Sequence, residues 1–308
     1  MEGITQDIVF QLLLNSPDDS LINYFNLFCN KDLFHIAKNV LNDNDFWYQK
    51  LKRKFLVPPE NKDVNWKTVY QFLSSSLYSE TKAKAFDSAT NFNELFKKAA
   101  KNGLYWEMVV LMNNGTDPTA DNNFAIRYAA EYGHTEMVKL LLQDPRVDPT
   151  ADNNYTINQA ARKGHIKIIK LLLQDQRVNP AAEDNFAIIC AAYHGKTEVV
   201  KLLLDDSRVD PSSKNNEAIR DAAQHGKTEV VKLLLQDPRV DPIVENNYAI
   251  RYAAKNGHTE IVLLLLGDSR VDPTAENNYA IRLAACHGRT EIVKLLLQDK
   301  RVKRSRNR

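Results

Sequence analysis

A 31-residue repeat is the feature that most constrains what this chain can fold into. An Ala-Ala pair, a glycine three residues later and a Leu-Leu-Leu run return in register from Ala129-Ala130 to Ala284-Ala285. An Asn pair precedes each Ala pair, except in the third copy, which has Asp184-Asn185. Self-similarity at a period of 20 to 50 residues is typical of solenoids, in which each unit contacts only its neighbours. The chain is therefore predicted to stack copies of one unit.

Residues 246–276 show what one unit should look like. The Asn247 side chain is expected to cap a first helix that begins at Tyr248, and Gly257 is expected to end that helix in the left-handed conformation. Thr259 is expected to cap a second helix, which is apolar nearly all round and therefore buried on several sides. The closing Arg-Val-Asp-Pro segment should be extended, because proline disfavours the α region for the residue before it. Each unit is predicted to be helix, turn, helix and projecting loop.

A family resemblance follows from these motifs. Residues 133–142, Gly-His-Thr-Glu-Met-Val-Lys-Leu-Leu-Leu, together with Ala129-Ala130, resemble the G-H-x-E-V-V-K-L-L-L and A-A signatures of ankyrin repeats. The resemblance covers roughly residues 91 to 302. It implies an all-α ankyrin-repeat solenoid, built of helix-turn-helix repeats of 31 residues, that binds protein partners. The short period and the recurrent D-P-R-V-D-P loop are similar to those of ankyrin proteins of giant DNA viruses of amoebae.

Two departures from the ankyrin pattern carry structural expectations. The family's T-P-L-H is replaced by Tyr-Ala-Ile-Arg at 248–251 or by near variants, and the period is 31 residues where the family has 33. Both missing residues fall in the loop after the second helix, so the hairpin between repeats is expected to be short. The hydrogen bonds of the family's histidine must also be replaced. The candidates are the arginines at that position: Arg127, Arg220, Arg251 and Arg282.

Composition and charge argue against several classes of protein. The 308 residues have a net charge of +2, but six basic residues lie in the last nine positions, so the body is mildly acidic and a poor general nucleic-acid binder. Cys29, Cys190 and Cys286 are odd in number and widely spaced, which indicates a reducing compartment without disulfides. The chain begins without a positive n-region and has no apolar run of about 18 residues, so secretion and membrane spanning are not expected. An intracellular protein is predicted, in the host cytoplasm or nucleus if it is viral.

Residues 1–55 are predicted to form a separate helical domain. Apolar residues fall on one face of three helical stretches between about residues 4 and 51. A D-I-x-x-x-L-L start, a P-D-D turn and a closing Phe46-Trp47 pair resemble an F-box. That family binds Skp1 and so docks onto a cullin ubiquitin ligase. The resemblance assigns to the Skp1-binding surface or its support the residues Ile8, Leu12, Leu13, Pro17, Leu21 and Trp47.

A second interpretation of the same segment stays open. The F-box family opens with Leu-Pro, whereas Ile4-Thr5 stands at that place in this chain. A small helical cap over the apolar end of a solenoid would need the same amphipathic stripes. The N-terminal helices are therefore either an F-box-like domain or only a cap.

The rest of the chain is predicted to have four further parts. Residues 56–90 form a linker with one helix, and residues 91–121 form a degenerate first repeat, as a solenoid end requires. Residues 122–302 form six regular repeats. Residues 303–308 are a basic tail, interpreted as a nuclear-import signal, a phosphate-binding arm or a solubilising end. Because no polar capping helix is evident, an apolar edge is expected at Ile292, Val293, Leu296 and Leu297.

Binding residues are sought where the copies differ, because packing explains the positions that stay the same. The two residues after each Ala pair vary fully, and in ankyrin proteins the matching positions line a concave groove. Their aromatic, basic and amide side chains suit a protein surface better than a small ligand, although drifted surface positions would also vary. The predicted groove residues are Glu131, Tyr132, Arg162, Lys163, Tyr193, His194, Gln224, His225, Lys255 and Asn256, with Cys286-His287 in the last copy.

No pattern indicates catalysis, a cofactor or a metal. The histidines at 134, 165, 194, 225, 258 and 287 lie beside glycines, one per repeat, and are interpreted as turn and capping residues. The chain contains no H-E-x-x-H, C-x-x-C, Gly-rich phosphate loop or nucleophile elbow. Cys286-His287 lacks a third ligand at metal spacing. The chain is predicted not to be an enzyme.

These features favour one function over two others. The favoured hypothesis is a substrate-recruiting adaptor that links a target in the ankyrin groove to an SCF-type ubiquitin ligase through Skp1. The alternative is a stand-alone ankyrin scaffold or host-protein antagonist, whose N-terminal helices only cap the stack. A weaker hypothesis is a nucleic-acid-associated protein that acts through the basic tail, with binding that depends steeply on salt.

Overall fold

The computed structural model describes residues 90–113 and 116–306. In these residues the chain is helical with short connections and has no strand. They belong to two compact units, one with residues 90–99, 104–113 and 116–117 and the other with residues 100–103 and 118–306. The predicted F-box-like domain, residues 1–55, lies outside the described residues, as does nearly all of the predicted linker.

The degenerate first repeat contributes two helices. Helix α1 is Thr90–Asn102 and helix α2 is Tyr105–Asn113. Phe96, Met108 and Leu111 are buried on them. A left-handed residue, Gly103, separates the two helices.

Six helix pairs follow in chain order, each made of a longer first helix and a shorter second helix. The pairs are α3 (Ala120–Glu131) with α4 (Thr135–Leu142), α5 (Ala151–Lys163) with α6 (Ile166–Gln174), α7 (Ala182–Tyr193) with α8 (Thr197–Leu204), α9 (Ser213–Gln224) with α10 (Thr228–Gln236), α11 (Val244–Asn256) with α12 (Thr259–Gly267), and α13 (Ala275–Cys286) with α14 (Thr290–Gln298). Helix α15 (Lys300–Arg306) ends the described chain.

The Ala pairs and the second helices build one continuous core. Ala253 and Ala254 are fully buried, as are Val262 and Leu265 of the following helix. Neighbouring first helices approach one another more closely than neighbouring second helices do, because alanine side chains separate them. The array of residues 118–306 therefore curves toward the first helices. The predicted solenoid of helix-turn-helix repeats is confirmed.

The Asn pair has a different role from the predicted helix cap. The right-handed part of α11 begins at Tyr248, but Glu245, Asn246 and Asn247 before it all lie in the left-handed region, with φ of 50°, 56° and 60°. The same three-residue left-handed turn precedes all six first helices. Asparagine is among the few residues that tolerate this conformation, which explains the Asn pair.

The second Asn of each pair ties its repeat to the next. The Asn247 side-chain oxygen accepts the backbone N–H of Asp272 at 2.7 Å. It thus serves the loop of the following repeat and not the N-terminus of its own helix, as the sequence led us to expect. The same bond to the residue 25 positions later is made by Asn123, Asn185 and Asn216.

The loop between repeats packs inward and does not project. Val240 and Pro242 of the loop after α10 are buried, and the equivalent valines are at most 2% exposed. Arg239 forms a forked contact with Asp237, two residues earlier. Its guanidinium also donates to the carbonyl oxygens of Val209 at 2.9 Å and Leu204 at 3.1 Å, both in the preceding repeat.

This Asp-x-Arg contact is a staple between repeats. A guanidinium that satisfies one carboxylate and two carbonyls uses most of its donors at fixed geometry. The Arg side-chain hydrogen bond is the main reason why the pKa of Asp237 is lowered. The same contacts to the preceding repeat are made by Arg177, Arg208, Arg239, Arg270 and Arg301.

A short basic helix closes the C-terminal end, where the sequence predicted an exposed apolar edge. Helix α15 buries Val302, and Ile292 and Leu296 of α14 are buried as well. Ser305 donates a hydrogen bond to the Asn278 side-chain oxygen at 2.9 Å. The helix crosses the predicted boundary between residues 302 and 303, so most of the basic tail is part of the stack.

Candidate functional site

The exposed sides of the six first helices form one surface, which we call the first-helix face. Residues four apart lie above one another on a helix, so three positions of each copy make a stripe. In α3 the stripe is Phe124, Tyr128 and Tyr132, and in α11 it is Tyr248, Tyr252 and Asn256. The first position after the left-handed turn is aromatic in five of the six copies and is Glu217 in α9.

Aromatic rings stack along this face. The Phe124 and Tyr128 rings lie 3.9 Å apart, and those of Tyr248 and Tyr252 lie 4.0 Å apart. Tyr128 also stacks on Tyr155 of the next copy, with 6.3 Å between ring centroids. The rings are half-buried or exposed, which keeps large apolar areas in contact with solvent. Aromatic side chains of this kind are enriched at protein interfaces because they bury much area at low entropic cost.

Cations cover several of these rings. The Lys101 ammonium lies 4.9 Å from the Tyr128 centroid, and the Lys255 ammonium lies 5.4 Å from that of Tyr252. Cation–π contacts at exposed sites contribute about 0.5–1 kcal/mol each. They also hold the rings in place before a partner arrives.

The arginines that replace the family histidine support the face from below. The Arg220 Nε donates to the Asn215 carbonyl oxygen at 2.9 Å, and its Nη2 donates to that of Lys214 at 3.0 Å. The guanidinium lies 5.3 Å from the Tyr248 ring of the next copy. Carbonyls of the left-handed turn are also bonded by Arg127, Arg251 and Arg282. The arginines thus replace the missing histidine by holding this turn.

The predicted groove residues lie at the C-terminal ends of the first helices, on the edge of this face. Tyr132 is 51% exposed and Tyr193 is 41% exposed. The Tyr193 ring contacts the rings of His194 and His225, with centroids 4.8 Å and 4.2 Å away. Their partner binding stays a proposal, but the structure places all ten in one row.

Two predicted groove residues are used for contacts between repeats. Tyr155 donates its hydroxyl to the Glu131 carboxylate at 2.7 Å, and Tyr248 donates to the Gln224 side-chain oxygen. Burial and the bond to Glu131 raise the pKa of Tyr155. Glu131 and Gln224 therefore position the aromatic rings of the next copy as well as facing solvent.

The histidines fall into two groups. His134, His165 and His258 follow the glycine, and the Nε2 of His258 hydrogen-bonds the Gln224 carbonyl oxygen at 3.0 Å. Thr259 is the first residue of α12, so the predicted cap role falls to the backbone of His258, whose side chain reaches the preceding repeat. The other group precedes the glycine, and His225 and His287 bond carbonyls of their own helix through Nδ1.

The fourth first helix breaks the aromatic row with two carboxylates. Burial and the neighbouring Glu217 raise the pKa of Asp221. Cys190, in the preceding first helix, has its pKa raised to about 11 by burial, so its thiol stays protonated at neutral pH.

Sequence reasoning missed the central part of the face. It found the variable residues after the Ala pair but not the aromatic positions four and eight residues earlier. The signal was an aromatic residue directly after the Asn pair in five copies. The missed residues are Phe124, Tyr128, Tyr155, Phe186, Tyr248, Tyr252 and Tyr279.

Two kinds of site are not found among residues 90–113 and 116–306. In that part of the chain, no group of three or more His, Cys, Asp or Glu side chains could hold a metal ion. Nor does any helix there have the length and apolar character needed to span a membrane.

Comparison with known proteins agrees with this geometry. No curated protein matches the chain. The family model for ankyrin repeats (3 copies) matches residues 96–184, 157–246 and 222–306, which together make up more than half of the chain. With six stacked helix pairs in the same region, these matches show that the chain belongs to the ankyrin-repeat family.

Proposed function

We propose that the first-helix face holds a target protein and that the chain works as a recruiting adaptor. Ankyrin repeats mediate protein–protein interactions, so the chain is a protein-interaction module. The observation that supports this face as the binding surface is its variability on a constant frame. The turn, the staple and the core recur in nearly every copy, whereas the exposed stripe differs in each.

The dimensions of the face fit a protein partner. Helices pack about 9 Å apart, so six first helices span on the order of 50 Å. Stacked aromatic rings and cations over that length resemble the composition of interface centres, where Tyr and Arg are enriched. Ankyrin-repeat proteins are in general scaffolds and not enzymes, and a binding role without bond-making chemistry is consistent with this face.

Site-specific crosslinking tests the surface. A photo-crosslinking residue, p-benzoylphenylalanine, replaces Tyr193 on the face or Leu263 on the second helix of the fifth pair. Both positions expose large side chains, at 41% and 50%. The proposal expects one discrete crosslinked partner from Tyr193 and none from Leu263. Equal crosslinking at both positions, or crosslinking at Leu263 alone, would rule out the face as the target site.

The ubiquitin-ligase part of the proposal is supported by the F-box resemblance of residues 4 to 51. In this scheme Ile8, Leu12, Leu13, Pro17, Leu21 and Trp47 form or support the Skp1 surface. Purified Skp1 should bind the full chain and not the Leu12→Asp variant, while Leu263→Asp serves as the matched control on the repeats. Skp1 binding by neither the full chain nor the control would leave the alternative, an ankyrin scaffold or host-protein antagonist with a helical cap.

A further inference from the structure

A row of basic residues follows one edge of the first-helix face. We call it the basic rim; it lies at the C-terminal ends of the first helices and at the residue after the glycine. It comprises Arg162, Lys163, Lys196, Lys227, Lys255 and Arg289. The acidic residue at these positions is Glu131, whose carboxylate accepts the Tyr155 hydroxyl.

Contacts between repeats make the basic rim continuous. The Lys196 side chain crosses Gly164, where an added Cβ would lie 2.9 Å from the Lys196 Cδ. Lys196 is thereby placed beside the end of α5, which carries Arg162 and Lys163. At the far end of the rim, the Arg289 Nε donates to the Lys255 carbonyl oxygen at 3.1 Å. The cations of successive copies therefore stand next to one another.

Helix stability does not explain half of this charge. Basic residues in the last turn of a helix interact favourably with the macrodipole, which accounts for Arg162, Lys163 and Lys255. Lys196 and Lys227, however, are the residues immediately before second helices, where a positive charge is unfavourable. No carboxylate among the described residues forms an ion pair with either ammonium. A cation at a helix N-terminus without a counter-charge is suited to an incoming anion.

The electrostatic field of the rim is felt by its own histidine. His194 lies between the two lysines in the row. Burial lowers its pKa, and so do the charges of Arg162, Lys196, Lys227 and Lys163. Four cations thus act on one point of the edge.

The opposite edge of the face carries the other sign. Each left-handed turn begins with an exposed acidic residue except in the fourth copy, which has Lys214. Asp152 and Glu245 are paired with Arg127 and Arg220. The acidic residues of this edge are Asp121, Asp152, Glu183, Asp184, Glu245 and Glu276. Between the two edges lie the aromatic rings, with Glu217 and Asp221 of α9 a turn or more away from the rim.

We infer that the basic rim binds an acidic segment of a protein partner, whose carboxylates face the rim while its apolar side chains pack on the aromatic rings. This inference rests on the proposed function and names the chemistry of the target. Charge complementarity along one edge sets the register and orientation of the segment more than its affinity. A nucleic acid fits less well, because its phosphates would also meet the acidic turns across the face.

A designed peptide tests the inference. The probe is a fluorescein-labelled amphipathic peptide of roughly 20 residues, about 30 Å long when helical, with Glu along one side and Leu and Trp beside it. Its binding to the full chain is measured by anisotropy. The rim variant is Arg162→Glu with Lys163→Glu, and the control is Lys167→Glu with Lys170→Glu on α6 of the same repeat. All four side chains are exposed, and both variants change the net charge equally.

The expected results separate the rim from overall charge. The rim variant should weaken peptide binding at least tenfold, and the control should change it by less than about twofold. A second variant, Lys196→Met with Lys227→Met, keeps the alkyl stems over the glycines and should weaken binding about fivefold without unfolding. Equal losses in the rim and control variants would overturn the inference, because net charge alone would then hold the peptide.

Two further results would also overturn it. A single-stranded oligothymidylate that binds more tightly than the peptide, and is lost in the same rim variant, would make the rim a nucleic-acid site. If the peptide does not bind while the Tyr193 crosslink captures a partner, the acidic class is wrong but the proposed face stands. If the peptide and the crosslink both fail, the proposed function fails too.

Discussion

The loop between repeats and the end of the first helix lie within one 31-residue unit, yet they behave in opposite ways across the copies. In the loop, the same guanidinium donates to the same two carbonyls in five copies. At the helix end, Arg-Lys, Tyr-His, Gln-His and Lys-Asn take each other's place. Repetition of identical atoms marks the contacts that hold repeats together. Change at exposed positions marks where the array is free to recognise something.

This contrast is tested most strongly by a condition that acts on every staple at once. The guanidinium hydrogen bond holds the pKa of Asp175, Asp206, Asp237, Asp268 and Asp299 below the usual 3.8. A lowered pKa in the folded state means that the carboxylates stabilise the fold fully above about pH 4 and stop doing so as pH falls through the lowered values. The urea midpoint should be steady between pH 7 and pH 5 and should fall steeply in more acidic solution. Asp237→Asn should make that acid slope shallower, and an unchanged slope would contradict the staple.

The next largest effect is expected at a glycine beneath the basic rim. Gly133 has φ of +83°, and an added Cβ would lie 2.7 Å from the His165 ring. Gly133→Ala should lower the free energy of unfolding by about 3 kcal/mol, since it adds left-handed strain and a clash. Two glycines separate the causes. Gly288 has φ of +67° with nothing within 4 Å, whereas Gly267 has open space and no such φ. Chemical denaturation should rank the losses Gly133→Ala, then Gly288→Ala, with Gly267→Ala neutral or stabilising; equal losses would refute the clash.

A single staple should contribute less. Arg239→Ala removes the donors to the Val209 and Leu204 carbonyls and leaves the Asp237 carboxylate without its cation. The expected loss is about 2 kcal/mol in the free energy of unfolding. Arg239→Lys keeps the charge but not the fork and should recover only part of the loss. Lys232→Ala, on the exposed side of α10, should stay within about 0.5 kcal/mol of the parent.

The smallest effect concerns a place where one copy breaks the rule. Thr156 is fully buried and its hydroxyl has no hydrogen-bond partner, whereas the other five copies have alanine there. Removal of an unsatisfied buried hydroxyl should raise the free energy of unfolding by about 1 kcal/mol in Thr156→Val. The reciprocal change, Ala187→Thr, should lower it by a similar amount. A loss of stability in Thr156→Val would show that the hydroxyl is satisfied in solution.

The sequence predicted the architecture well because the helices are dictated by local chemistry. The Ala pairs, the left-handed glycines and the apolar second helices are where the period placed them. It assigned Asn247 and Thr259 to helix caps because a cap is a contact within one helix, which local pattern can suggest. Their partners instead lie 25 to 32 residues away.

Contacts that cross from one repeat to the next explain the rest of the difference. An Asp two residues before an Arg in every loop was visible, but the two carbonyls that complete the staple belong to the preceding copy and have no side-chain signature. The aromatic positions of the face were also visible, yet each ring is placed by a residue of a neighbouring copy, as Tyr155 is by Glu131. In the same way, helix α15 covers an end that composition alone marked as open.

The span of the bond from each second Asn to the next loop has a further consequence for how such a chain can change in length. Asn185 reaches Asp210 with the same pair of atoms that joins Asn216 to Asp241, 31 residues on. Excision of one whole unit would bring Asn185 to the loop of Asp241 and give every donor an equivalent acceptor. An excision of any other length would leave both ends unmatched. The array is thus a ruler with one permitted graduation, along which the recognition surface can be shortened or extended without redesign of its joints.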